Sequence, residues 1–531
     1  MFEYVIVGAG TAGCVLANRL TANGATVALV EAGPPKHGDF RVRAPGMYIT
    51  LWRSALDWNF TTEPQRHVNN RRMFWPRGKV TGGTGSLNAL VYIRGHRDNY
   101  DEWRAAGNFG WGYDEILPFF TKSEDNSRGP SKYHGAGGPM AVDDVPSPGP
   151  GARAFVEAMS KACKVPINED FNGASQEGAG YYQYNIRRAE RFSSATGFLD
   201  AAMRGHRSLT LITDALATGL VLDGDRVTGV RIRERGAERT IEASREVILC
   251  GGAIGSPHVL MLSGIGPADE LRAAGVTPVH ELAGVGKHLE DHLLTGAQFH
   301  ATGGVDAMTK ARLALWAAQY QLLRKGPLGR SAVQAGGFVK HGPDAQRPDV
   351  QFFFVPWGFT PPNSDEKRPP PFGRYFTILS SLLYPRSHGE VRLRSADPAE
   401  APLIDPNYLA DPADLEHLVD GIELAREIAA TAPLARFSGK ERELGMPTRT
   451  RDDLREVVRT TVNTIFHPTG TCKMGPDTDP TSVVDAELRV HGLRGLRVAD
   501  ASIMPRIIGG NTNAPTVMIA EKAADFLLHA R

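Results

Sequence analysis

The sequence predicts an α/β architecture: a Rossmann-like domain and a second α+β domain built on an antiparallel sheet. Three observations carry this reading. Two short apolar runs, Phe2–Val7 and Thr26–Val30, bracket a glycine-rich turn and a helix over Cys14–Asn23. A second strand–glycine–helix unit recurs where Arg245–Cys250 runs into Gly251-Gly252-Ala253 and a helix from Ser256. Between residues 300 and 460, strands are followed by helices instead of alternating with them, which is the pattern of an α+β domain. At 531 residues the chain also exceeds the roughly 250–300 at which one hydrophobic core stops growing, so two domains or more are expected.

The N-terminal unit is the most informative. Phe2–Val7 is nearly continuous in apolar residues, as in a strand buried on both faces. It feeds Gly8-Ala9-Gly10-Thr11-Ala12-Gly13, and Glu31 ends the next strand 18 residues after Gly13. Gly8 permits the tight turn. Gly10 lets backbone approach a pyrophosphate whose charge rests on the helix N-terminus, and Gly13 brings helix against strand. Glu31 accepts hydrogen bonds from a ribose hydroxyl. A glycine turn alone is a weak signal. With both strands, the helix and the acid in register, it predicts an ADP-containing dinucleotide.

The remaining elements follow in order. Pro34 to Arg72 is loop-rich and carries Trp52, Trp58 and Phe60, which suggests an ordered covering segment. Arg77 to Asn88 is glycine-rich and leads into an apolar, helix-like run to Tyr92. Such a turn presents free N–H groups to a flat ligand. Helices are expected over Asp101–Glu124, Ala152–Cys163 and Ser194–Met203, with a Gly/Pro-rich connector at 135–150. Ser208–Thr213, Gly219–Leu222, Val227–Arg233 and Glu238–Glu242 read as short strands joined by turns. Arg312–Leu323 reads as an amphipathic helix, packed in the core or between domains, with a membrane-touching role as the lesser alternative. Asp349–Val355, Tyr375–Leu383 and Gly389–Arg394 are strand candidates, Pro361–Pro371 is proline-rich, and Leu415–Ala430 is a long helix. Leu496–Val498 is a strand leading to Asp500, and Pro515–His529 is the last helix.

Composition narrows the function. Sixty basic and 59 acidic residues nearly cancel, which argues against nucleic acid as a main partner. Four scattered cysteines without a CxxC pair suggest neither a disulfide framework nor a zinc site. No apolar run reaches the roughly 18 residues of a membrane span, and the chain begins its first strand at once, leaving no room for a signal peptide. A cytoplasmic enzyme is the expectation, with peripheral membrane attachment as an option.

Several stretches together resemble the glucose–methanol–choline (GMC) family of FAD-dependent oxidoreductases. GAGTAG at 8–13 and VEAG at 30–33 resemble its nucleotide fingerprint. GKVTGGTGSLNALVYIRG at 78–95 is similar to its first signature, with Thr84-Gly85 a mild departure, and GAIGSPHVLMLSGIG at 252–266 to its second. VGKHLEDH at 285–292, HPTGTCKMG at 467–475, RVADASIMP at 497–505 and NTNAPTVMIAEKAAD at 511–525 complete the set. Among the branches, bacterial alcohol, sorbose and choline dehydrogenases are the most similar.

The resemblance implies an FAD-binding domain over 1–299 with the covering loop at 34–72, and a substrate-binding domain over 300–460. Residues 461–531 then return to the FAD domain with the catalytic pair. It implies flavin contacts from Gly83, Asn88, Ala89, Leu90 and Val91, and nucleotide contacts from Gly8, Gly10, Thr11, Ala12, Gly13, Glu31 and Ala32. Ala217 falls where the family holds the adenine edge, and Asp500, Ala501, Thr512 and Asn513 fall near the ribityl–phosphate portion and the ring. Some members bind flavin covalently through a histidine where this chain has Leu87, so non-covalent FAD is expected.

Removing a hydride from an alcohol needs a base for the hydroxyl proton. His467 suits it, because a reference pKa of about 6.5 lets neutral imidazole exist at working pH, and the family's base occupies this position. Asn511 matches the partner residue; Asn513, just before Ala514-Pro515, fits a helix cap better. The helix that follows would aim its positive end at the flavin. Phe466, Phe353 and Trp357 are the pocket candidates, with Phe352 and Phe354 on the other face of their strand. This aromatic, weakly charged lining favours an apolar primary alcohol, oxidised to an aldehyde, over a sugar. A quaternary ammonium such as choline would need a carboxylate that cannot be nominated. The electron acceptor is expected to be a quinone or other carrier, with O2, as in an alcohol oxidase, the alternative. A non-catalytic flavoprotein and a light-driven fatty-acid decarboxylase are remote readings; the latter uses a cysteine in the substrate domain, and none lies between Cys250 and Cys472. His288 and His292 superficially suggest a zinc pair, but the order HLEDH is not HExxH and a third ligand is missing.

Overall fold

The computed structural model describes residues 1–144, 146–342, 344–359, 372–442 and 450–529. Its first sheet has seven strands, in the order Leu209–Ile212, Val27–Val30, Phe2–Val7, Ala237–Leu249, Arg226–Glu234 and Ala215–Asp223, with Leu496–Val498 also paired to Ala237–Leu249. The joins among the first four and to Leu496–Val498 are parallel. The last two joins are antiparallel. Parallel strands covered on both faces carry apolar residues without alternation, and Val5, Ile6, Val27–Leu29, Val247 and Ile248 are fully buried. The first helix, Thr11–Ala22, packs against the last, Asn513–His529, on this sheet.

The second sheet also has seven strands, all joined antiparallel. Its order is Ser438–Glu441, Leu293–Ala301, Tyr375–Leu382, Val350–Val355, Ala335–Val339 and Gly178–Tyr181, with Asn463–Thr464 also paired to Leu293–Ala301. Helices Pro150–Ala162 and Pro412–Ala430 cover one face, where Phe352 and Phe354 join Phe155 and Ile428 in a core. Phe353 and Val355 point the other way and cluster with Leu294 and Leu379. The two-residue alternation of a strand thus divides one aromatic run between a structural core and a cavity.

Several expected elements take another form. The stretch expected as two strands, Glu238–Glu242 and Arg245–Cys250, is one strand, Ala237–Leu249, because no turn residue interrupts it. Its first half pairs antiparallel with Arg226–Glu234 and its second half parallel with Phe2–Val7. The run to Tyr92 is not helical. Gly82 and Gly83 adopt φ of 86° and 52°, a single 3₁₀ turn spans Gly83–Ser86, and Val91–Tyr92 pairs as a strand with Gln183–Tyr184. Asp101–Glu124 divides into helices Arg97–Ala105 and Tyr113–Ser123, with Gly107 and Gly110 at positive φ between them. Lys310–Leu323 is helical but not an interior helix. Among the described residues only its Tyr320 is buried, and Leu315, Leu322 and Leu323 are 63%, 79% and 62% exposed. Its apolar residues are spread around the axis, so no single stripe seats it on a core. Pro361–Pro371 lies outside the described residues.

Candidate active site

Residues of both sheets wall one long cavity. At one end the strand Phe2–Val7 delivers Gly8, Gly10, Thr11 and Ala12 to it, Val27–Val30 delivers Glu31 and Ala32, and Ala215–Asp223 contributes Ala217. Glu31 is buried and pre-set: Oε2 accepts from the Ala9 N–H (3.0 Å) and Oε1 from the Gly33 N–H (2.8 Å). Burial pushes its carboxyl up to about 7.

The glycines test whether a dinucleotide fits. A Cβ at Gly8 would meet Cys250 O at 2.6 Å, and one at Gly13 would meet Gly8 O at 1.9 Å, so packing alone requires both. A Cβ at Gly10 meets no protein atom closer than 3.9 Å. The protein does not need glycine there; a ligand lying against the backbone does. Gly13 is accordingly not in the cavity wall: it holds helix against strand, and its expected role as a direct contact is corrected to a packing one.

Midway, the turn at Gly83 touches the turn at Gly10, where a Cβ on Gly83 would lie 2.7 Å from Gly10 Cα. Gly83, Asn88, Ala89, Leu90 and Val91 line this stretch from one side, and Asp500, Ala501, Thr512 and Asn513 from another. Asn513 does not cap its own helix. Its Oδ1 accepts from Thr11 Oγ1 (2.9 Å), tying the start of the last helix to the start of the first. Asp500 accepts from Gly252 N–H and Ser256 Oγ on Oδ2 (2.8 and 2.6 Å), and from Ser502 N–H on Oδ1. Leu87 lines the cavity and offers no nucleophilic atom for a covalent flavin link at that position.

At the far end stand His467 and Asn511, with Nε2 and Nδ2 3.2 Å apart. The backbone of His467 is over-determined. Asp291 takes its N–H on Oδ1 (2.7 Å) and the hydroxyls of Tyr408 and Thr464 on Oδ2. The preceding Phe466 has φ of +68°, an unusual conformation for a bulky residue. Arg77 Nη2 stabilises it by donating to Phe466 O (2.6 Å), and Phe466 N–H donates to Thr464 Oγ1 (2.7 Å). Burial, then the neighbouring His292, then the Arg77 cation hold the His467 imidazole well below the ordinary histidine value. It is therefore neutral at neutral pH, with one ring nitrogen free to accept a proton.

Around this pair the wall is apolar: Val91, Leu294, Phe353, Val355, Leu379 and Phe466. Trp357, expected beside Phe353, is not in the wall. The strand ends at Val355, alternation stops with it, and Phe359 takes the place instead. The covering segment adds Tyr48, Trp52, Trp58 and Phe60, with the Trp52 and Phe466 rings 5.5 Å apart. Tyr48, Ala332, Val333 and Leu379 were not foreseen; only the aromatic content of the covering segment hinted at any of them. The carboxylates among the described lining residues are Glu31, Glu400 and Asp500.

The cleft and the histidine–asparagine pair define a flavin oxidoreductase, and the chain belongs to the GMC oxidoreductase family: the family's N-terminal profile matches residues 2–294 and its C-terminal profile residues 385–520. It is 42% identical, over 99% of its length and 96% of the relative's, to an alcohol dehydrogenase [acceptor] of Pseudomonas putida. It is 39% identical, over 99% and 89%, to mitochondrial choline dehydrogenase of Homo sapiens. Among solved structures, pyridoxine 4-oxidase from Mesorbium loti superposes with a TM-score of 0.89 at 32% identity, covering 100% of this chain and 99% of that one. Formate oxidase of Aspergillus oryzae RIB40 superposes with 0.91 at 28%, covering 100% and 98%. The cofactor is FAD. When bound it supplies the hydride acceptor.

Proposed function

We propose that the protein oxidises an uncharged, apolar primary alcohol to its aldehyde and passes the electrons to a quinone or another small carrier. One observation carries this reading: a neutral imidazole and a carboxamide, 3.2 Å apart, stand in an apolar wall of the cavity that begins at the dinucleotide motif. His467 Nε2 accepts the hydroxyl proton, and Asn511 donates to the substrate oxygen without adding charge near the base. The aromatic cover excludes water from the reacting carbon. Choline is the less favoured substrate: of the acids lining the cavity among the described residues, Glu31 and Asp500 belong to the nucleotide stretch, which leaves Glu400 alone in an otherwise apolar, aromatic wall to face a quaternary ammonium. The P. putida relative's name supports an acceptor-linked dehydrogenase.

Anaerobic titration with a panel of alcohols, followed by admission of air, tests this. Medium-chain aliphatic or benzylic alcohols are expected to bleach the flavin at far lower concentration than choline, and the colour to return slowly in air and rapidly on adding a quinone. Bleaching by choline alone would overturn the substrate class, and fast recolouring in air would make the protein an oxidase.

Peripheral contact with a lipid surface is part of the same proposal. No helix among the described residues is long and apolar enough to cross a membrane. Leu315 and Leu322, exposed two turns apart on the same side of Lys310–Leu323, with Lys310 and Lys325 at its ends, support shallow docking on anionic lipid. Co-sedimentation with vesicles containing anionic lipid is expected, and its loss when Leu315 and Leu322 are both changed to serine. Equal recovery in the supernatant with and without vesicles would remove this part.

A further inference from the structure

His467 can act as a base toward the cavity only if its proton sits on the nitrogen turned away. An isolated imidazole holds the proton on either nitrogen, and a buried ring takes the tautomer its neighbours dictate. In this structure the neighbours form one directed chain, readable from two backbone carbonyls that can only accept.

The first is Leu383 O, 3.0 Å from His292 Nε2, so Nε2 of His292 carries hydrogen. His292 is fully buried and, as a neutral ring, presents a bare Nδ1, which lies 2.9 Å from Nδ1 of His467. The hydrogen of that contact therefore belongs to His467 Nδ1. Nε2 of His467 is left with a lone pair on the Asn511 side.

The second end confirms the direction independently. Tyr182 donates to Phe352 O at 2.6 Å, so its oxygen accepts from Gln351 Nε2 at 3.2 Å. The other hydrogen of Gln351 Nε2 goes to Asn511 Oδ1 (3.3 Å), which turns Asn511 Nδ2 toward His467 Nε2. Were His292 cationic, the proton of His467 would move to Nε2 and face the Asn511 N–H₂ donor to donor. Burial outweighs the Leu383 and Ile508 carbonyls, which favour that cation, and holds the His292 imidazole at about 4.

The geometry points to His292 and Gln351 as positioning residues. His292 holds the proton of His467 on Nδ1, and Gln351 aims the amide of Asn511, so that one lone pair and one N–H donor face the substrate hydroxyl. Neither side chain is in the cavity wall, and no role had been assigned to either on the sequence. His292 is brought to the base by strand register and a turn: Leu293 and Leu294 pair with Thr464 and Asn463, which sets His292 opposite Ile465, and the backbone at Phe466, with φ of +68°, then turns the His467 ring onto it. The inference rests on His467 being the base of the proposed alcohol oxidation.

Two readouts separate its failure from failure of that proposal. The first needs no substrate. With ¹⁵N-labelled histidine in deuterated holoenzyme, and the His467 signals assigned by their loss in His467→Asn, the wild type is expected to show a protonated Nδ1 and a bare Nε2 at neutral pH. A protonated Nε2 overturns the inference whatever the substrate. The second is kinetic, on FAD-loaded protein with native near-UV dichroism. His292→Leu leaves Nδ1–H without an acceptor and is expected to slow anaerobic flavin reduction roughly ten- to hundred-fold, with little change in the alcohol concentration at half-saturation. In His292→Gln, the carboxamide can accept from His467 and donate to Leu383 O, and most of the rate is expected to return. His292→Glu keeps the acceptor but adds charge, and should move the acid limb of the rate–pH profile upward. If Leu and Gln variants are equally slow, or the Glu variant leaves the acid limb where it was, His292 is only a packing residue. Should His292→Leu not fold, Gln351→Leu serves instead: a rate loss at unchanged FAD content is expected, and a wild-type rate overturns the relay.

Discussion

Alanine in place of His467 is expected to slow anaerobic flavin reduction by the best alcohol roughly 10²-fold or more while FAD stays bound. The magnitude follows from what else stands nearby. Arg77 is a cation, Asn511 has no basic nitrogen, and His292, whose bare Nδ1 faces the imidazole, lies outside the cavity wall. No group on that wall can take over the proton. FAD retention follows from the fold, since the dinucleotide cleft is built by the first 32 residues and by turns that do not bear on the imidazole. The pH dependence has a definite sign. Burial, His292 and Arg77 lower the affinity of His467 for a proton, so the neutral base persists below the ordinary histidine value of about 6.5. In the wild type the rate should be flat through neutrality and fall only as pH drops through a value beneath that. In the alanine variant this limb should vanish along with the rate. Stopped-flow reduction across pH decides it, and a variant reduced at near wild-type rates would remove His467 from the role.

What could be read from the chain alone tracks how local the governing interactions are. The Gly8–Glu31 unit is legible because strand, turn, helix and acid are consecutive and each residue type has one mechanical reason. His467 was legible only through the HPTGTCKMG stretch, since a lone histidine before proline has no distinctive chemistry. The partner that sets its proton was not legible: His292 and His467 are 175 positions apart and meet through the register of an antiparallel pair and the turn at Phe466. HLEDH instead suggested, and then failed to support, a metal pair. Trp357 was misplaced by a related error, in which strand alternation was extended two residues past the point where the strand ends. Helix Lys310–Leu323 was recognised but not its exposure, because periodicity reports a stripe only when one exists, and here leucines and alanines lie all round.

The second large effect is expected at Gly10, and it distinguishes a nucleotide contact from a fold requirement. Gly10 has φ of −75° and ψ of −161°, which an alanine accepts without strain. Its hypothetical Cβ meets only Cys250 O and Gly83 Cα, both at 3.9 Å. Gly10→Ala should therefore leave the apoprotein's stability nearly unchanged. Gly8 and Gly13 offer no such separation, since a Cβ there collides with backbone whether or not a ligand is present. With FAD bound the result differs, because the added methyl occupies the space through which a pyrophosphate reaches the first helix's N–H groups. Overpacking of that kind costs ~1–3 kcal/mol, and ~1.4 kcal/mol is tenfold in affinity. Titration of FAD into apoprotein is expected to weaken roughly ten- to hundred-fold, with matching urea midpoints for the two apoproteins. Unweakened binding would mean that the nucleotide does not lie against Gly10. A lowered apoprotein midpoint would mean that packing, and not the ligand, selects glycine there.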